Sequence, residues 1–278
     1  MESSGPRGGL RACGLYYAPM LLATNINNTE TKVGLFRGDS LEAHWRLTTT
    51  PTRTPDEWAQ ALTSYLTQAG RSTQEVRAAI LASVVPPVTQ TLCEAVERAT
   101  TVKPLVVDGR SRLPITLDVE EPLSVGADRI LNTLAAATLF RQDTIVVDFG
   151  TATTFDCITR EGRFIGGVIM PGLRTGADAL IRNTAKLPAT ELVPTERVIG
   201  RRTEDCIRSG VLWGAAEAVD GLVRRIKAEW PNGNTPKIVA TGGLAPLVAP
   251  LSKEIESQHP DLTLVGLRIA ASALGLKW

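Results

Sequence analysis

The sequence predicts an α/β protein of two similar halves, and three observations carry that expectation. Strand-like and helix-like segments alternate along it, a strand–turn–strand motif recurs at half the chain's length, and 43% of its 278 residues are hydrophobic. Short apolar runs alternating with amphipathic stretches are what helices packed on sheets require, and a motif repeated after half a chain is the trace of duplication. So much apolar side chain, beside 21% charged, suffices for a large core and rules out disorder over most of the length.

In chain order, residues 1–19 carry Gly5, Gly8, Gly9 and Gly14 without an apolar period, and a disordered tail is expected there. No apolar stretch in it suits a secretion signal, and Met20 is followed at once by Leu21, Leu22 and Ala23. Residues 21–24 and 32–36 read as strands, with a turn at Arg37-Gly38-Asp39-Ser40 into a third over 41–47. Thr54 as cap, Pro55 at the first helical position and acidic Asp56 and Glu57 in the first turn predict a helix over 55–69. A buried strand over 78–84 is closed by Pro86-Pro87, a helix follows over 89–99, and 104–107 is again a strand. A long amphipathic helix is expected over 124–140, with Ile130, Leu131, Leu134, Ala137 and Thr138 on its buried face.

The second half opens on the echo. Residues 144–154 repeat the strand, polar turn and strand of 21–31, and Arg160-Glu161-Gly162 answers Arg37-Gly38-Asp39. A boundary is therefore expected near 140–143, giving domains over 20–140 and 141–278. Gly166-Gly167-Val168-Ile169-Met170-Pro171-Gly172 is too glycine-rich for a helix and reads as a loop. Residues 203–227 read as a helix burying Ala215, Val219, Leu222 and Ile226, and 238–241 as a strand entering a Gly242-Gly243 turn.

Composition excludes several functions. Thirty basic against 29 acidic side chains leave a net charge of +1, so no global field recruits nucleic acid or an anionic membrane. The longest apolar runs, 169–173 and 211–216, fall far short of the ~20 residues of a bilayer span, and a soluble protein is expected. Cys13, Cys93, Cys157 and Cys206 lack paired spacing, so each reads as a small buried hydrophobe in a reduced, cytoplasmic chain. The only histidines, His44 and His259, sit beside no nucleophile, which removes zinc sites and His-assisted nucleophilic catalysis. Carboxylates, hydroxyls, backbone amides and metal ions remain.

Asp148-Phe149-Gly150-Thr151-Ala152-Thr153-Thr154 ends an apolar strand with a carboxylate, a glycine and three hydroxyls. Turn amides and hydroxyls can grip phosphate oxygens while the Asp holds a cation; the same residues also suit a plain hairpin. The echo favours the first reading, because two such hairpins facing across a cleft can clamp both ends of a triphosphate. Gly126-Ala127-Asp128-Arg129 opens a helix, where Asp complements the dipole. It also offers a base about 3 Å from a bound hydroxyl and a fixed cation for an acidic group. Gly242-Gly243 either lets a nucleotide approach the backbone or simply turns a strand into a helix.

From Met20 onward the chain resembles the type III pantothenate kinases, members of the actin/hexokinase/Hsp70 superfamily of duplicated ribonuclease-H-like domains. The matching pieces are Asn28-Thr29 with Thr31, Ser83-Val84-Val85-Pro86-Pro87, Val125-Gly126-Ala127-Asp128-Arg129, the turn from Asp148 to Thr154, and Gly166-Gly167-Val168-Ile169 with Pro171-Gly172. They continue with Ala185-Lys186-Leu187-Pro188, Ile199-Gly200-Arg201 with Thr203, and Ala240-Thr241-Gly242-Gly243-Leu244-Ala245. The resemblance implies two tandem ribonuclease-H-like domains, each on a mixed five-stranded sheet, with the active site in the cleft between them. It implies ATP-dependent phosphorylation of the primary hydroxyl of pantothenate, the first committed step toward coenzyme A, by a cytoplasmic homodimer. Asp128 then looks like the general base, and Gly126, Ala127, Asp128, Arg129 and Thr203 like pantothenate contacts. Asn25, Ile26, Asn27, Asn28, Thr29, Glu30, Thr31 and Lys32 correspond to the first phosphate loop, with Thr151, Gly242 and Gly243 as further ATP contacts. Asp148 matches the ligand of a monovalent cation, potassium or ammonium, and magnesium accompanies ATP.

Two departures stand out. The family's first loop reads Asp-x-Gly-Asn-Thr, but Asn25 and Asn27 occupy its Asp and Gly positions. Losing a charged hydrogen-bond partner, at ~1.5–3 kcal/mol, is expected to slow the reaction roughly ten- to a hundredfold. Asn27 is expected to take the left-handed backbone of a glycine, and Glu30, by strand alternation, to lie on the face opposite Asn25. Val119 also stands where the family commonly has tyrosine. A non-catalytic nucleotide-binding regulator, like the Bvg accessory factor group, and a kinase for another hydroxylated acid are the rival readings.

Overall fold

The structure is a computed structural model that describes residues 18–278. Of the tail expected over 1–19, all but residues 18 and 19 lies outside that range.

Three antiparallel strands open the fold: β1 (Met20–Ile26), β2 (Glu30–Arg37) and β3 (Ser40–Thr48). α1 (Pro55–Gln68) starts as its sequence dictates. Thr54 Oγ1 accepts from the Glu57 backbone and the Glu57 carboxylate accepts from the Thr54 N–H, a reciprocal cap typically contributing about 1 kcal/mol. β4 (Val76–Ser83), α2 (Pro86–Thr100) and β5 (Leu105–Val107) complete a sheet of order β3-β2-β1-β4-β5, its last two pairings parallel. α2 starts three residues before the expected point, because prolines suit the first positions of a helix, where no N–H is needed.

Between the halves come a two-residue strand, β6 (Thr116–Leu117), and α3 (Ala127–Phe140). Then β7 (Thr144–Phe149), β8 (Ala152–Ile158) and β9 (Arg163–Pro171) run antiparallel, α4 (Leu173–Arg182) and α5 (Thr203–Glu229) follow, and β10 (Lys237–Thr241) returns parallel to β7. α6 (Ala245–Val248), β11 (Ser257–Gln258) and α7 (Leu262–Ala273) end the fold. The order β9-β8-β7-β10-β11 repeats the first sheet strand for strand, the duplication the echo foretold. The second sheet has six strands rather than five, since β6 pairs with the outer edge of β9.

Three local expectations are corrected. The stretch 166–172 is mostly strand, and its glycines serve close approach. A Cβ on Gly167 would overlap the Phe155 carbonyl, and Gly166 at φ +115° accompanies the register shift against β8. α3 starts at Ala127 and is buried all round from Ile130 to Ala136, while Ala137 is half-buried and Thr138 exposed. It lies between both sheets: Leu131 and Leu134 pack with Leu21 and Ala23, Ala135 and Ala136 with Val146 and Ile158. On α5 the fully buried row is Leu212, Ala216, Val219 and Val223, with Ala215, Leu222 and Ile226 only partly covered beside it.

One face of the first sheet buries Trp58, Leu62 and Leu92 of α1 and α2. The other is covered by α3 and by α7, whose Leu264, Leu267 and Ala270 pack with Leu21 and Ile80. Gly266 allows that crossing, since a Cβ there would collide with the Leu131 carbonyl of α3. Of the cysteines within the described residues, Cys157 is buried as expected, Cys93 is half-buried and Cys206 is exposed. No helix among the described residues is long and apolar enough to cross a membrane.

Candidate active site

The two echoed hairpins meet. Residues 27–29 join β1 to β2 through Asn27 N–H donating to the Glu30 carbonyl at 3.0 Å, and Thr49 ties the turn down. Its hydroxyl donates to the Asn27 carbonyl at 2.7 Å and lies 2.9 Å from Thr31 Oγ1. In the second hairpin Thr151 presents its carbonyl to the Gly172 N–H and the Thr175 hydroxyl. The hydroxyls of Thr29 and Thr151 are 2.8 Å apart, so the phosphate-gripping turns expected to face each other touch directly.

At the base of the first turn Asn25 is only 2% exposed, and its Oδ1 has no partner; nor has that of Asn27. Asn27 does not adopt the left-handed backbone expected of it: among the described residues Thr101 and Arg141 are the non-glycine positions with positive φ. The expected separation of Glu30 from Asn25 also fails. Asn25 is paired with Lys32 across the hairpin, so both point to one face, and Glu30, two residues from Lys32, shares it. Alternation does not run through a turn that folds the strand back. Glu30 is bound instead by Arg46 Nε at 2.8 Å.

Asp128 stands in the first turn of α3, where its Oδ1 accepts from the Arg129 N–H at 2.8 Å. Gly126 precedes it because a Cβ would crowd that oxygen at 2.6 Å. Arg129 reaches β8: Nε donates to Asp156 Oδ1 at 2.6 Å, Nη2 to the Phe155 carbonyl at 3.3 Å, and the guanidinium lies over the Phe164 ring. Asp156 is wholly buried, and burial lifts its pKa to about 7 against the pull of Arg129. Asp148 is the last residue but one of β7, where Asn132 Nδ2 donates to its Oδ2 at 3.2 Å. Burial raises the pKa of Asp148 while Lys32 and Asn132 lower it; that of Asp128 is raised by burial and then by the charge of Asp148. Three carboxylates thus gather around one guanidinium and one amide.

Gly242, at φ +91°, turns β10 against this cluster, and a Cβ on it would collide with the Asp148 carboxylate and the Phe149 backbone. Next to it Gly243 packs against the Arg46 guanidinium, which spans from the first half to the second. Gly242 therefore abuts Asp148, which hydrogen bonds link through Asn132 and Asp156 to Arg129. Asn28 is exposed at the turn, and Ile26 and Ala127 are core. Thr203 is not part of the assembly: it is exposed at the start of α5, and no hydrogen bond among the described residues joins it to Asp128 or Arg129. Sequence reasoning passed over Arg46, Thr49, Asn132 and Asp156. The last two carried a signal, since a lone amide in an apolar helix and a lone carboxylate in an apolar strand must find partners when buried.

Among the described residues no group of three or more His, Cys, Asp or Glu is set to hold a metal ion. The unpartnered, buried Oδ1 atoms of Asn25 and Asn27 are nevertheless the hard oxygen donors that hydrated magnesium takes. Asp148 is engaged by Asn132 through Oδ2, and carboxylate oxygens are hard donors of the kind a cation takes.

The family profile "Type III pantothenate kinase" matches residues 21–225. The type III pantothenate kinase of Thermomicrobium roseum is 45% identical over 251 residues, covering 90% of this chain and 96% of that one. That of Moorella thermoacetica is 41% identical, covering 90% and 98%. Among solved structures, a putative Baf family transcriptional activator from Campylobacter jejuni superposes with a TM-score of 0.56 at 17% identity, over 90% of this chain and 97% of that one. The ADPNP-bound activator of 2-hydroxyisocaproyl-CoA dehydratase from Clostridium difficile gives 0.54 at 14%, over 92% and 94%. These likenesses concern the fold, the paired ribonuclease-H-like arrangement of the actin/hexokinase/Hsp70 type. The profile and the identity over nine-tenths of the length go further, and by them the chain belongs to the type III pantothenate kinase family.

Proposed function

We propose that this protein transfers the γ-phosphoryl group of ATP to the primary hydroxyl of pantothenate, the first committed step toward coenzyme A. The observation that carries this reading is the continuity of the site: Asp128 and Arg129 head one helix, and hydrogen bonds lead from Arg129 through Asp156 and Asn132 to Asp148 beside the paired turns. The threonine hydroxyls and turn amides grip the phosphates. Arg129 Nε and Nη2 are engaged, which leaves Nη1 to meet the substrate carboxylate. Asp128, ionised, takes the hydroxyl proton as the substrate oxygen bonds to the γ-phosphorus and the bond to the β-phosphate oxygen breaks. The Asn25 and Asn27 side-chain carbonyls would hold the magnesium that accompanies ATP, which would supply positive charge against the phosphates. Asp148 would hold potassium or ammonium.

The dimer expected of the family is supported by exposed apolar side chains on β9, α4 and the stretch before α5, Ile169, Leu180 and Ile199. A second copy is then the means by which the isolated Thr203 joins an acceptor site. The amide at Asn25 favours a second reading, a nucleotide-binding regulator without turnover. ADP release measured with and without pantothenate tests both. Release that depends on pantothenate is expected; release indifferent to it points to another acceptor, and ATP binding without release points to the regulator.

A further inference from the structure

We propose that Asn132 is a positioning residue that couples the cation carboxylate to the acceptor site, so that a monovalent cation and pantothenate tighten each other's binding. This rests on the function proposed above. Asn132 lies one turn beyond Asp128 on α3 and is 1% exposed. Its Nδ2 donates to Asp148 Oδ2 at 3.2 Å and faces Asp156 Oδ2 at 3.5 Å, while its Oδ1 accepts from Thr263 Oγ1 at 3.0 Å.

Chemistry fixes which way the amide points. A carboxylate only accepts, so the two N–H bonds must face Asp148 and Asp156 and the oxygen must face the hydroxyl of Thr263, which can donate. One amide therefore serves two carboxylates, one N–H each. Asp156 uses its other oxygen for Arg129 Nε, so moving either carboxylate pulls on the amide and through it on the other. A cation arriving at Asp148 sets that carboxylate, the amide carries the setting to Asp156, and Arg129 meets the acceptor in a fixed orientation. The lock on the amide comes from α7, the element farthest from α3 in the chain. An aliphatic side chain of similar size would fill the volume and leave the carboxylates unlinked.

The test is calorimetry of pantothenate binding to the full chain, with and without potassium, in the parent, Asn132→Leu and Thr263→Val. In the parent, potassium should tighten pantothenate binding about tenfold, within the ordinary range of coupling between sites. In Asn132→Leu the ratio should fall to about one while both ligands still bind, and Thr263→Val, which keeps the amide and frees its orientation, should fall between. A parental ratio of one, or a folded variant that keeps the parental ratio, overturns the coupling; if Asn132→Leu does not fold, Thr263→Val decides alone. A parent that binds no pantothenate at all sinks the function proposed above together with this inference, an outcome distinct from intact binding with unaltered coupling.

Discussion

Thr29 and Thr151, 122 positions apart in the chain, bring their hydroxyls within 2.8 Å of each other at the tips of the two repeated hairpins. Each hydroxyl satisfies the other where a phosphate chain would otherwise be held. Replacing either by Val should weaken ATP binding roughly ten- to a hundredfold, the value of a hydrogen bond to a charged group at ~1.5–3 kcal/mol. Because the pair is exposed, melting should change little. ATP titration followed by calorimetry decides it, and unchanged affinity in both variants would remove these turns from the phosphate site.

Asp128→Asn should abolish turnover, by a factor of about 100 or more, while ATP binding persists, since the base acts on the acceptor and not on the nucleotide. The parent's kcat/KM should rise with pH through a group titrating above the usual 3.8, because burial and Asp148 raise the pKa of the carboxylate that must be ionised. A coupled assay across pH reads both. Turnover within a fewfold of the parent would clear Asp128 of the role.

Asn25→Asp should raise activity at low magnesium, and adding Asn27→Gly should add little, because Asn27 needs no left-handed backbone. The new carboxylate enters a 2%-exposed position, so the variant should melt lower without magnesium and gain more from it than the parent does. If magnesium stabilises both chains equally, position 25 does not face the cation.

Two adjacent glycines should tolerate alanine unequally. Gly242→Ala meets a positive φ, the Asp148 carboxylate and the Phe149 backbone, and should lose about 1–3 kcal/mol or more together with activity. Gly243→Ala meets only the end of the flexible Arg46 side chain and should cost less. Chemical denaturation of both variants provides the comparison, and equal losses would contradict the crowding around Asp148.

Asp143 accepts from the Arg160 N–H, the Asn234 amide and the Trp230 indole. Burial works to raise its pKa, but these bonds outweigh it and hold the carboxyl below its usual 3.8. A depressed folded pKa gives stability that is present above the unfolded value and lost as pH falls through the folded one. Melting of the parent and of Asp143→Asn should therefore differ most above the usual 3.8 and converge as pH falls below it through the lowered folded value. A constant difference would mean that the charge is irrelevant.

Much of this was legible in the sequence, for identifiable reasons. The Thr54 cap, the Gly38 turn and the echoed hairpins are local signals, carried by residues adjacent in the chain. What escaped was set by distant pairing. The buried row of α5 depends on which neighbours cover it, the strand character of 166–171 depends on β8, and the face of Glu30 depends on how the hairpin folds back. Asn132 and Asp156 belong together only because α3 crosses β7 and β8, a meeting that no spacing along the chain encodes.

The placement of α7 over the first sheet bears on how the protein is made. Leu21, Ala23 and Ile80 leave the ribosome early, but the helix that completes their cover ends at Ala273. At about 5–20 residues per second, the growing chain carries an unfinished apolar face for roughly ten to thirty seconds after β5 appears. The face of the first sheet under α7 closes only once that helix has been made, whereas the face under α1 and α2 is covered by residues of the first half itself.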